Sequence, residues 1–483
     1  MIMERRSLLK QAGVTTLAGG LPALARAADE ATSTKADHTL HIATGLVELA
    51  PDHIVSTTLY NGRFPGPLLR MRQGQRVVVD VHNDTDTPEL VHWHGQMIPA
   101  EVDGASEEGS PFVPPHGMRR TAFVPKPAGF RFYHTHVPAC RDLNRGTYTG
   151  LAGPVYIEPE VNPGSHDREI FLVLKEFAPV FSRGGDMAMD ALSGRPLGDL
   201  QRIGQAADYD AHQTTKGFEV SYDLFSINGR MLGHGEPIRV KPGERILFHV
   251  LNASATEIRS LALPAHVFRI VALDGNPVPV QAEVPVLWLG TAERVSALVA
   301  MTDPGVWVMG DLADDDRGHG MGIVVEYAGR KGKPLWRKPR PFHWDYTRFG
   351  HPIGPGAPDE TIEMTIVKHN AALSGFNQWT INGEAFSMET MKPGYMLHEG
   401  RRYRVKIRNA SDDIHPVHLH RHSFELTYIG GKPTSGVMKD VVMLGGFQEL
   451  AFDFVADNPG PSLFHCHQQL HMDFGFMALF NYA

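Results

Sequence analysis

The sequence predicts an all-β protein of several compact domains, and three observations carry that prediction. Glycine and proline are abundant, 49 and 35 of 483 residues, so turns are frequent. Between the turns lie short runs rich in β-branched and aromatic residues, the pattern of strands. A weak internal repeat occurs three times. A chain of this length holds roughly two to four hydrophobic cores. The formal net charge of −8 points to neither a nucleic-acid partner nor an anionic membrane surface.

Residues 1–27 read as an export signal. Arg5-Arg6-Ser7-Leu8-Leu9-Lys10 precedes a mildly apolar stretch from Ala12 to Leu24, and Ala25-Arg26-Ala27 has the small-x-small pattern of a cleavage site. A twin arginine at this position addresses a protein to the bacterial machinery that exports folded chains, so a periplasmic or otherwise exported location is expected. A membrane anchor is the rival reading, but it needs about 20 continuous apolar residues and this stretch is shorter and interrupted. The segment carries four basic groups and one acid, so its removal takes the charge from −8 to −11.

The repeat sets the register of the histidines. Gly74-Gln75-Arg76, Gly243-Glu244-Arg245 and Gly400-Arg401-Arg402 each open an apolar-rich run that ends nine positions after the glycine, at Asn83, Asn252 and Asn409. Nine and eleven residues beyond each asparagine stand His92 and His94, then Leu261 and Leu263, then His418 and His420. A second landmark agrees. Gly129, Gly305 and Gly460 each follow a proline within two residues, and five and seven positions later come His134 and His136, Gly310 and Leu312, and His465 and His467. The expected units are 38–160, 161–330 and 359–483, with a linker over 331–358, and the middle unit is blank where the outer two bear histidines.

Paired histidines one residue apart lie on one face of a strand, so four such pairs can converge eight imidazoles on one cavity. A lone histidine is ordinarily a packing or surface residue; eight at equal offsets from two landmarks are not. In PGPSLFHCHQQLHMDFGFM, Cys466 stands between His465 and His467, with His471 four residues further on. Alternation sends the thiol to one face and the flanking imidazoles to the other. A thiolate with two imidazoles is a blue-copper ligand set, and imidazole otherwise suits copper, zinc, iron or nickel. The only other cysteine, Cys140, is expected to be a small buried residue, with no disulfide between the two.

With HWHG (92–95), YHTH (133–136), HPVHLH (415–420) and HCHQQLH (465–471) in this order, the chain resembles the three-domain multicopper oxidases, the laccase family. The resemblance covers nearly all of the mature chain. It implies three consecutive cupredoxin-like Greek-key β-barrels and four copper ions. A type 1 copper would take His415, Cys466 and His471; a type 2 copper His92 and His418; one type 3 copper His94, His134 and His467; the other His136, His420 and His465. The axial position of the type 1 site is Phe476, which cannot coordinate, so a relatively high potential is expected. Alternation turns the neighbouring Met477 away. Asp103 matches an acid that assists proton transfer to oxygen in the family. A second acid that often succeeds the last type 1 histidine is replaced by Met472.

The implied activity is one-electron oxidation of a small donor at the type 1 site, electron transfer through Cys466 to His465 and His467, and reduction of dioxygen to two waters. Phenols and aromatic amines are the expected donors. The alternatives are a cuprous or ferrous ion oxidase, or an exported copper-binding protein without enzymatic activity. Candidate metal-substrate methionines are Met187 and Met189 with Asp186 and Asp190, and Met388, Met391 and Met396, neither set dense.

Overall fold

The structure, a computed structural model, describes residues 35–159, 165–182 and 217–483. The expected export signal and the Met187/Met189 pair lie outside the described residues. Sheet dominates, and no described helix is long and apolar enough to cross a membrane.

One pairing pattern recurs. His38–Ala50 runs parallel to Val77–Asn83, which pairs antiparallel with Gly117–Phe123. Arg168–Ser182, Arg245–Asn252 and Arg294–Ala300 repeat that arrangement, as do Glu360–Leu373, Arg402–Asn409 and Glu449–Val455. A second, smaller sheet faces each of these. In the first unit it is Leu69–Arg72, Ala152–Glu158 and Gly129–His134. In the last it has five strands, in the order Gly394–Leu397, Met477–Tyr482, Ser462–Cys466, His415–Leu419 and Val441–Leu444. Alternate inward residues of facing sheets fill each core. In the first unit these include Leu40, Val79, Trp93, Tyr133 and Val155, all buried. Each such side chain stabilises the fold by roughly 1.5–3 kcal/mol.

The repeat landmarks have a physical reason. Gly74, Gly243 and Gly400 sit at φ +76°, +83° and +80°, a left-handed turn conformation that glycine adopts without a Cβ penalty. Each repeated asparagine is buried and ties its strand end to two loops. Asn83 Nδ2 donates to the carbonyls of Thr87 (2.8 Å) and Val113 (3.2 Å). Asn252 Nδ2 does so to Glu257 (2.8 Å) and Leu289 (2.9 Å), and Asn409 Nδ2 to Asp413 (2.8 Å) and Gly445 (3.1 Å). In every copy the asparagine Oδ1 accepts the backbone N–H two residues on. The loops thus anchored carry the histidines of the outer units, whereas Leu261 and Leu263 simply fill the middle core.

The 331–358 segment is packed along its second half. Trp344, Tyr346 and Phe349 are buried, and the Tyr346 hydroxyl donates to Glu293 Oε1 (2.6 Å) while accepting from the Met443 N–H (3.3 Å).

Candidate metal centres

Ser462–Cys466 is a central strand, paired on one side with His415–Leu419 and on the other with Met477–Tyr482. Its Cys466 Sγ lies 3.6 Å from His415 Nδ1 and 3.5 Å from His471 Nδ1, and the two nitrogens are 3.1 Å apart. His471 reaches this group from the short helix Gln469–Asp473 just after the strand. The Phe476 ring closes the site against His415, 4.8 Å between centroids, and offers no donor atom. Met477 packs instead with Leu463, Met472 and Leu479 in a separate apolar cluster.

On the opposite face of the strand the eight paired histidines meet. His92 and His134 exchange both backbone hydrogen bonds (2.8 and 3.1 Å), and His418 pairs with His465. The imidazoles sit where strands run out: His134 ends Gly129–His134, and His136, His420 and His467 lie just beyond strand ends. His94 Nδ1 and His467 Nε2 each stand 3.4 Å from His134 Nε2. His420 Nε2 is 3.0 Å from His465 Nε2, with His136 in the same group. His92 stacks on His420 and His94 on His418, at 4.0 and 3.8 Å between centroids.

The outward nitrogens are held by the chain. His92 Nδ1 donates to the Asp103 carbonyl (3.0 Å), His134 Nδ1 to the Thr135 carbonyl (2.7 Å), His418 Nδ1 to the Asp440 carbonyl (2.7 Å) and His465 Nδ1 to the Cys466 carbonyl (2.8 Å). His420 Nδ1 lies 3.0 Å from Asp103 Oδ2 and 3.3 Å from Glu108 Oε1, while His94 Nε2 faces Asp440 Oδ1 at 3.1 Å. Such partners fix the tautomer and leave the other nitrogen as a ligand. Asp103 is placed by the turn Ala100–Asp103, which Gly104 ends at φ +96°; a Cβ there would lie 1.9 Å from the Val91 carbonyl oxygen.

These donors fit copper. Buried His92 Nε2 and His418 Nε2, opposite the nitrogens that the chain holds, have no hydrogen-bond partner, a costly condition for polar atoms unless a ligand satisfies them. Two nitrogens on one ion with bonds near 2.0–2.1 Å stand about 3.3 Å apart, close to the separations seen. Burial, with the charges of neighbouring imidazoles, holds His94, His134, His136, His418, His420 and His467 well below the usual histidine range. Burial lowers His415 to about 4 and His465 to about 3. Neutral imidazole is the form that binds metal. Burial raises the Cys466 thiol, so a coordinated cation must supply the charge that draws off its proton.

Multicopper oxidase family models match residues 43–162, 203–327 and 358–483. The chain belongs to the multicopper oxidase family. It is an oxidoreductase with dioxygen as acceptor and a reducing substrate, which removes the non-enzymatic alternative, and its fold is three cupredoxin-like β domains. It is 29% identical over 440 residues to the multicopper oxidase MmcO of Mycobacterium tuberculosis, covering 89% of this chain and 84% of that one. It is 24% identical to laccase-3 of Thanatephorus cucumeris over 92% of this chain and 90% of the laccase. Among solved structures, Fet3p, a multicopper oxidase that functions in iron import, superposes with a TM-score of 0.74 at 17% identity, covering 92% of this chain and 90% of that chain. At that identity the likeness concerns the fold alone.

Some residues of this multicopper oxidase lie where the sequence motifs do not reach, and one departs from expectation. Glu107 and Glu108 are buried at the cluster; Glu107 Oε2 is 3.9 Å from His136 Nδ1, and Glu108 Oε1 also accepts the Leu463 N–H (2.7 Å). The signal was present, two acids four and five positions after Asp103 in a Gly-rich loop. Asp440 carried no motif. Cys140 is exposed, contrary to expectation, because it occupies a turn at φ +52° whose N–H donates to Asp473 Oδ2 (2.6 Å); both cysteines are free thiols. Met391 packs beside Met472 and Met477, whereas Met388 and Met396 are exposed.

Proposed function

We propose that this multicopper oxidase holds four copper ions and couples one-electron oxidation of phenols or aromatic amines to reduction of dioxygen to two waters. The observation that carries this reading is the strand Ser462–Cys466 with the residue that follows it, which presents Cys466 to one donor set and His465 and His467 to the other. Copper, when bound, supplies the one-electron redox couples and the site at which dioxygen is reduced. His415, Cys466 and His471 would hold the type 1 ion, and His92 and His418 the type 2 ion. His94, His134 and His467 would hold one type 3 ion, and His136, His420 and His465 the other.

The chain's own work is to hold, tune and insulate. Cys466 and the imidazoles on either side of it give a continuous covalent path, through adjacent residues, between the two donor sets. Phe476, buried against His415, offers the type 1 donors only hydrocarbon, which would keep water and a further ligand from a bound copper and favour a high potential. Asp103 Oδ2 bridges the outward nitrogens of His92 and His420, 3.1 and 3.0 Å away, so its carboxyl can hold and pass a proton at these imidazoles.

The donor class rests on the ground beside His471. Glu219 Oε2 is 3.9 Å from His471 Nε2, and Lys368 Nζ sits among the nearby carboxylates, 2.8 Å from Asp413, 3.4 Å from Asp412 and 4.0 Å from Glu219. Lys368 already ties these carboxylates together, so they are not an open set of oxygen donors for a ferrous or cuprous ion, which favours the organic reductant. The twin-arginine motif adds an exported, periplasmic location. Dioxygen uptake by copper-loaded protein tests the proposal: rates with 2,6-dimethoxyphenol and an aromatic amine should exceed those with ferrous and cuprous ions. The reverse order would make it a metal oxidase.

A further inference from the structure

None of the described residues of the middle domain is among the candidate metal donors, yet one of its side chains reaches the histidine cluster. Arg294 opens the strand Arg294–Ala300 and is fully buried. Its guanidinium grips Asp440 of the third domain with two bonds, Nη1 to Oδ1 at 2.7 Å and Nη2 to Oδ2 at 2.5 Å. Arg131 of the first domain adds a bond from Nη1 to Asp440 Oδ2 (3.1 Å). Asp440 in turn holds histidines of both outer domains. Its Oδ1 faces His94 Nε2 at 3.1 Å and its carbonyl accepts from His418 Nδ1 at 2.7 Å.

The arginine is itself immobilised. Nη1 also donates to the Ala292 carbonyl (2.8 Å) and Nη2 to the Asp274 carbonyl (3.2 Å), while Asp274 Oδ1 accepts the Arg294 N–H (3.0 Å). The glycine of HWHG belongs to the same device. A Cβ on Gly95 would lie 2.6 Å from Asp440 Oδ2 and 2.7 Å from Arg294 Nη2, so the residue after His94 must be glycine for the carboxylate and guanidinium to close against it.

We infer that Arg294 is a positioning residue for the trinuclear cluster: it fixes Asp440, whose carboxylate sets His94 to offer Nδ1 and whose backbone carbonyl sets His418 to offer Nε2. Asp440 has both oxygens engaged by Arg294, Arg131 and His94, so it acts as an orienting group and not as a ligand. The blank domain therefore contributes chemistry as well as spacing. A planar fork matched to a carboxylate is what arginine supplies and lysine does not.

The inference rests on the reading of His94 and His418 as copper ligands. Its test is copper loading by chelator competition, with the type 2 electron paramagnetic resonance signal and the blue absorption band monitored on wild type, Arg294→Gln, Arg294→Lys and Lys439→Met. Lys439 pairs with Asp274 and Glu293 in the same buried network at 2.8 and 3.0 Å but touches no histidine. Arg294→Gln should weaken copper retention at the cluster by about 10- to 100-fold and alter the type 2 signal, with the blue band kept; Arg294→Lys should recover part of the loss. Lys439→Met should lower thermal stability with the type 2 signal unchanged. Should Arg294→Gln fail to fold, Asp440→Asn, which keeps the side chain's size, gives the same readout. Unchanged cluster affinity and signal in the folded variant overturn the inference, as does an equal loss in Lys439→Met. A wild type that loads no copper at the cluster overturns the function reading and this inference together.

Discussion

Phe476 and Asp103 show how much a single residue decides. The Phe476 ring stands 4.8 Å from His415 where a methionine thioether would otherwise approach the metal. Phe476→Met should therefore lower the type 1 potential, read by redox titration of the blue band; an unchanged or higher potential would contradict the axial assignment. Asp103→Asn keeps the shape of the loop but removes the charge between His92 and His420. Oxygen reduction should fall by about 100- to 10,000-fold with copper loading retained, in the range of a lost acid–base group, and an unaffected rate would end the proton role. At this scale the candidate donors, which the structure brings together in two groups, were legible because metal binding demands rare residue types at fixed offsets. Arg294 and Asp440 were not, since a buried ion pair between strands of different domains leaves no local pattern, and Arg131 gave only a charge inside the apolar run GFRFYH.

Elements carry the geometry from one site to the other. The strand Ser462–Cys466 has its thiol on one face and His465 on the other, so Cys466→Ser should abolish the blue band and turnover while leaving the histidine cluster able to take copper; residual blue colour would contradict the wiring. The turn Ala100–Asp103 depends on Gly104, whose φ of +96° and contact with the Val91 carbonyl leave no room for a side chain. Gly104→Ala should cost at least about 1–3 kcal/mol in thermal or denaturant unfolding and disturb the type 2 signal through His92 and Asp103. A fully stable variant with an unaltered signal would show that the turn does not position Asp103. The strands themselves were readable from turn-bounded β-branched runs. Less readable was that half of the paired histidines lie at or just past strand ends, because alternation predicts a face and says nothing about where a strand stops.

Across the whole molecule, copper-free protein should be sensitive to acid. His94, His134, His136, His415, His418, His420, His465, His467 and His471 are held below the usual histidine value chiefly by burial. The unfolded chain protonates these imidazoles near pH 6.5, whereas the native chain keeps His415 neutral down to about 4, His465 down to about 3 and the others neutral well below their usual range, so stability falls as pH drops below about 6.5. Glu89 and Asp473, raised by burial to about 7, act oppositely, as do Glu107, Glu108, Glu293 and Asp311, but the imidazoles outnumber them. Denaturant unfolding of the copper-free protein should give a lower midpoint at pH 5.5 than at pH 7.5; an equal or higher one would contradict the burial account. The three-unit organisation was visible in the sequence because Asn83, Asn252 and Asn409 do the same work in each copy, whereas the way the units dock, through Arg131, Arg294, Asp440 and Tyr346, could be seen only once the chain was folded. The central claim is that one strand serves two copper centres built from these eleven side chains. Crystals of the copper-loaded protein, measured on either side of the copper absorption edge, test it most directly. One anomalous peak among Cys466, His415 and His471 and three among the eight paired histidines are predicted; a vacant thiolate site in fully loaded protein, or copper bound elsewhere, would contradict it.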